Sequence, residues 1–197
     1  MDEPMNPSVN REDIPARTIA ENIWQQPDKR ANGFIIHWNQ HTDVGGLGEG
    51  FLDDLAEDVR VVWVYRLDAL ASIVSRTIAE TTGRWQSSEP TTMTLTLRAA
   101  EVRVAYEEIV RERRQMSAWM RRRTGGMTVF YEDVVSQPYM PGVQALLGVT
   151  FAPLSVANCG VTRQEQRKMS AVIQNYQELR HELARTPLAA LFRTEHM

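Results

Sequence analysis

Apolar residues fall along this chain in two alternating rhythms. Short runs rich in β-branched and aromatic residues read as buried strands: residues 33–39 (GFIIHWN), 61–66 (VVWVYR) and 127–131 (MTVFY). Longer stretches repeat apolar positions every three or four residues, the signature of amphipathic helices. Behind the second strand, Leu70, Ile73, Val74 and Ile78 form one such stripe, and Asp68 stands at the turn where a carboxylate caps helix N–H groups. A long helix is expected over about residues 97–123, with Val104, Ile109, Met116 and Trp119 inward. Shorter helices are expected at 11–25, at 51–57, from 131 toward Leu147, and finally over about 163–183, ending before Pro187.

The connections carry turn residues. Pro4 and Pro7 break residues 1–10. Gly45, Gly46, Gly48 and Gly50 make a loop, Pro90 interrupts a polar stretch at 87–94, and residues 153–160 form another loop. No repeat or low-complexity tract is present. Strands alternating with helices imply an α/β class: three layers around a parallel sheet.

Composition narrows the field. A chain of 197 residues suits one domain with a substantial core, and 43% hydrophobic content is ordinary for a globular protein. The net charge of -3 argues against a bulk nucleic-acid binder. The single cysteine, Cys159, excludes an internal disulfide and any multi-cysteine metal site. The polar, acidic start MDEPMNPSVNRED is unlike a signal or transit peptide, and no apolar run reaches the length of a membrane span. A cytoplasmic protein without a membrane span is the expectation.

Arg66 at a strand end and Ser75 two helical turns further on have the character of a phosphate clamp. The alternative for Arg66 is a pair with Asp68. For Ser75 it is a bond back to a carbonyl one turn earlier. His37, at a strand end, is either an acid–base residue or an ordinary core or surface histidine. With His41 and Asp43 it makes no convincing ligand set, so no metal site is expected. Trp38 and Trp85 read as core residues, and Tyr131 and Glu132 as structural residues that hold a loop by hydrogen bonds. Arg121, Arg122 and Arg123 suit a helix C-terminus, where cations complement the dipole.

Several of these segments, taken in order, resemble bacterial sulfotransferases of the trehalose 2-sulfotransferase type. GFIIHWNQ resembles the family's second strand, ending in Trp-Asn. RLDALASIVSRTIAETTGRW resembles its phosphate-binding strand and helix, closing in Thr-Gly-x-Trp. Trp119 followed by Tyr131-Glu132-Asp133, then Leu146-Leu147-Gly148-Val149, and Asn175-Tyr176-Gln177-Glu178-Leu179 fall where the family has similar residues. Residues 3–7, EPMNP, resemble the segment that carries the family's proposed base, which would be Glu3.

The resemblance implies a three-layer, P-loop-like sulfotransferase fold with a parallel sheet. It also implies a reaction moving a sulfuryl group from 3′-phosphoadenosine 5′-phosphosulfate (PAPS) to a hydroxyl of a sugar or other small acceptor. Glu3 would serve as the catalytic base, beside His37 as the acid–base candidate its strand-end position offers, and Arg66, Ser75 and Arg163 would hold the nucleotide. Gln164 and Lys168 lie beside Arg163 in a late basic segment. The chain opens just beyond where the family's first strand and Arg-Ser-Gly-Ser-Thr phosphate loop would stand, so both are expected to be missing. The VGGLGEGF segment lacks the Lys or Ser/Thr of a phosphate loop. A missing central strand would leave neighbouring edges open, favouring a gap, a rearranged sheet or a homodimer.

Two substitutions weigh the other way. The family's 3′-phosphate Arg lies eight residues before its Ser, where this chain has Leu67, and the Lys of the second strand corresponds to Ile35. Arg66 reaches the same place only if the strand end twists. The alternative is a catalytically degenerate relative retained as a binding or partner protein.

Overall fold

The computed structural model describes residues 59–84, 92–136, 140–149 and 167–192. They form a mixed α/β arrangement, mostly helical, with one small parallel sheet of two strands. The elements are β1 (Val61–Tyr65), α1 (Ala69–Thr82), α2 (Ala99–Met120), β2 (Gly126–Phe130), α3 (Tyr131–Ser136), α4 (Pro141–Leu147), α5 (Met169–Val172), α6 (Tyr176–Leu183) and a 3-10 helix, Pro187–Phe192. The expected strand at 33–39, the glycine loop, the helices at 11–25 and 51–57, and Cys159 lie outside the described residues. So do Glu3, His37 and Arg163.

The chain divides into two compact units. Among described residues, one holds 59–63, 119–127 and 140–149, and the other holds 64–84, 92–118, 128–136 and 167–192. In the first, the Val61 amide donates to the Gly125 carbonyl at 2.9 Å and opens the strand pairing. Trp119 is buried, and the Arg123 guanidinium lies 4.9 Å from its ring centroid. The Arg122 and Arg123 amides close the end of α2 on the Trp119 and Met120 carbonyls. Gly126 lies so close to Met120 that a Cβ there would meet the methionine Cε at 2.7 Å.

The second unit holds the larger core. Leu70, Ile73, Val74 and Ile78 of α1 pack with Leu95, Leu97, Val102, Val172, Ile173, Tyr176, Leu179, Leu183, Leu188 and Phe192. All four α1 residues of the expected stripe are buried, because their spacing turns one face of that helix inward. Asp68 caps the helix by accepting the Ala71 amide at 2.9 Å, and Gly83 ends it at φ 67°, a conformation glycine adopts without a Cβ penalty.

Three expectations change. β1 was expected to be fully buried. Instead none of its five residues is, and Val64 is 49% exposed. A parallel strand is buried on both faces only where helices cover both of them.

In α2 the inward position is Val102, at 0% exposure, whereas Val104 is 58% exposed. Two residues turn a helix by about 200°, so the two valines face opposite ways.

The final helix is broken. Ile173 adopts extended geometry (φ -93°, ψ 109°) to form a parallel bridge with Leu95. Leu95 exchanges backbone bonds with this segment: its amide donates to Val172 O, and its carbonyl accepts the Gln174 amide, both at 2.8 Å. Asn175 then acts as a side-chain substitute for another strand. Its Oδ1 accepts the Leu97 amide at 3.1 Å and its Nδ2 donates to the Leu97 carbonyl at 2.8 Å.

Candidate functional site

The C-terminal end of β1 is where the sequence concentrates its candidate chemistry, and the structure organises it residue by residue. Tyr65, Arg66 and Leu67 are each met by one of the successive residues Phe130, Tyr131 and Glu132. The Tyr65 and Phe130 rings meet edge to face, centroids 5.2 Å apart at 90°. The Arg66 guanidinium lies 4.9 Å from the centroid of the Tyr131 ring. The Leu67 amide donates to both carboxylate oxygens of Glu132, at 3.1 and 3.0 Å, and the Asp68 amide adds a third contact at 3.3 Å. Parallel strands that end level with each other carry this pairing past the sheet and into the turn.

Arg66 stands one residue beyond the last strand position, so strict strand alternation no longer fixes its direction. Its Nη1 donates to the Ala71 carbonyl at 3.3 Å. In an α-helix that carbonyl is also the acceptor for the amide four residues on, which is Ser75. Arg66 thus shares a backbone acceptor with the Ser75 amide.

The hydroxyls of Ser72, Thr77, Thr81 and Thr82 bond back to carbonyls four residues earlier, at 3.1, 2.9, 2.7 and 2.8 Å. Ser75 makes no such bond among the described residues, although that was the alternative reading of it.

Glu132 performs the loop-holding role its sequence context suggests. Burial disfavours its charge. Bonds from the Leu67 amide, its own amide and the Asp68 amide, together with the Arg66 guanidinium, outweigh that penalty and hold its carboxyl below the ordinary range. The turn amides therefore already have an internal anion. The Leu67 and Asp68 N–H groups are not open to an external anion. Leu67, where the family resemblance expects an arginine, turns its side chain outward at 51% exposure.

Sequence reasoning missed Arg113. Its Nη2 donates to the Arg66 carbonyl, and its guanidinium lies 5.0 Å from the Tyr65 ring centroid. The signal was present. Arg113 falls four residues after Ile109 and three before Met116, a charge standing on the apolar stripe of α2.

Of the five residues proposed for the site, Arg66 and Ser75 lie among the described residues, Arg66 bonded to the Ala71 carbonyl of the helix that carries Ser75. Glu3, His37 and Arg163 fall outside the described residues. Among the described residues, no group of three or more His, Cys, Asp or Glu side chains is placed to share a metal, and no helix is long and apolar enough to cross a membrane. No protein-family model, curated protein or solved structure matches this chain.

Proposed function

We propose that this chain is a PAPS-dependent sulfotransferase of the P-loop-like, three-layer α/β type. It would transfer a sulfuryl group to a hydroxyl of a sugar or other small acceptor. The observation that carries the reading is the placement of Arg66: seated on the Tyr131 ring and bonded to the Ala71 carbonyl, the carbonyl that in an α-helix accepts the Ser75 amide. A fork of guanidinium donors beside a hydroxyl suits a phosphate monoester, and the 3′-phosphate of PAPS is one. On this reading Arg66 and Ser75 hold that phosphate, Arg163 adds a late basic contact, and Glu3 or His37 accepts the acceptor's hydroxyl proton. The donor brings the activated sulfuryl group, so what the chain must supply is positioning and fixed positive charge. The acceptor is a free small molecule, and a homodimer is part of the same proposal.

Two observations favour a second reading, a degenerate relative that binds without turning over. Leu67 occupies the position where the resemblance expects the phosphate arginine, and Glu132 already fills the turn amides. Isothermal titration with 3′-phosphoadenosine 5′-phosphate separates these possibilities. Micromolar binding that weakens in Ser75→Ala supports the nucleotide site. No heat at millimolar ligand overturns it and leaves the second reading.

A further inference from the structure

The peptide group joining Arg66 to Leu67 is gripped at both ends. Its carbonyl accepts from the Arg113 guanidinium, and its N–H donates to the Glu132 carboxylate. In a trans peptide these two groups point in opposite directions, so the cation and the anion hold it from opposite sides and along its dipole. Arg113 is itself seated against Tyr65, the residue immediately before Arg66. Tyr65 in turn meets Phe130, whose two successors take the Arg66 side chain and the Leu67 amide.

Each polar group of the Arg66 backbone unit on its C-terminal side is thus fixed by a charged side chain from a different part of the fold. Arg113 comes from α2 and Glu132 from α3.

We infer that Arg113 is a positioning residue for the anion site: it orients Arg66 and does not touch the anion itself. This rests on the phosphate-binding reading of Arg66. The two bonds hold the Arg66–Leu67 peptide in place, and with it the backbone from which the Arg66 side chain reaches the Ala71 carbonyl. Without Arg113, the carbonyl needs another partner. The peptide then keeps only the Glu132 grip, and Arg66 samples rotamers that leave the Ala71 carbonyl. Pre-organisation of this kind appears as affinity, because an ordered guanidinium loses less entropy on binding.

The test is a double-substitution cycle on the full chain, with 3′-phosphoadenosine 5′-phosphate as the titrant, measured well below the unfolding midpoint of every variant. Arg113→Ala weakens binding about tenfold, and Arg66→Ala about a hundredfold. In the Arg66→Ala background, adding Arg113→Ala changes affinity by less than about twofold, because the residue through which it acts is gone. Arg113→Lys keeps a cation and a donor, and recovers part of the loss. A merely stabilising role would lower the melting temperature of Arg113→Ala and leave the cycle additive.

The outcomes are distinct. If the unsubstituted chain does not bind the nucleotide, the phosphate reading falls and this inference with it. If it binds, but Arg113→Ala has full affinity or loses equally with and without Arg66, the phosphate reading stands and the positioning role is overturned. Should Arg113→Ala fail to fold, the same cycle is run with Arg113→Lys, whose smaller loss must likewise vanish in Arg66→Ala.

Discussion

Glu132 takes the amide of Leu67 through both of its carboxylate oxygens, at 3.1 and 3.0 Å, and so anchors the turn between β1 and α1 to the first turn of α3. A carboxylate spread over two amides is a stronger acceptor than a neutral side chain. Glu132→Gln preserves shape and removes the charge. The expected loss is about 1 kcal/mol once solvent screening is allowed for, read from chemical denaturation at neutral pH.

The same contact predicts a pH dependence. The Glu132 carboxyl titrates below its ordinary range when folded, and an unperturbed glutamate titrates at about 4.3. Its contribution is therefore fully present above that value and is lost as pH falls through the lower, folded one. The stability gap between the unsubstituted chain and Glu132→Gln should be constant from neutral pH down to about 5 and close on further acidification. A gap that stays constant down to pH 3, or widens, would contradict the assignment.

Asp68 caps α1 through the Ala71 amide. Asp68→Ala should cost about 1 kcal/mol, and Asp68→Asn, which keeps an acceptor oxygen, considerably less. Thermal unfolding of the two variants side by side checks this.

Asn175 pairs with both polar groups of the Leu97 backbone. Asn175→Asp keeps one oxygen for the Leu97 amide but loses the donor, and sets a negative charge against a carbonyl. It should cost about 2 kcal/mol or more, and part of the loss should return in acid as the new carboxyl protonates. Asn175→Ala should be as damaging and show no recovery. Denaturant midpoints across pH distinguish the two.

The register of α2 gives a contrast within one helix. Val102 is wholly buried and Val104 mostly exposed. Val102→Ala should destabilise by about 2 kcal/mol and Val104→Ala by less than about 0.5. Equal effects would place the helix in a different rotation.

What the sequence revealed depended on how local the cause was. β1, α1 and its Asp68 cap are set by neighbours within a few residues, and all three were legible. The inward face of α2 was not: Val102 and Val104 are both valine, and what selects between them is the partner core of α1, α6 and the 3-10 helix. The break after Val172 was equally hidden. Residues 163–183 read as one helix until Leu95, far away in the chain, draws Ile173 into a bridge.

At the candidate site, Arg66 and Ser75 stood out because their residue types sit at a strand end and on the helix behind it. Glu132 was recognised as a loop holder, though not for which amides. Arg113 was overlooked because it sits among Arg111 and Arg114, and a run of charges is ordinarily a solvated face.

The clamp of Asn175 on Leu97 closes a loop of 78 residues, and that has a consequence for how the molecule forms. The segment before α2 finds its hydrogen-bonding mate only after everything between them has been laid down. Closing so long a loop is entropically unfavourable before any contact rewards it, so this junction should mature late and slowly. On the ribosome, the helix pair α1 and α2 would wait with an uncovered apolar face until the C-terminal segment emerges to seal it.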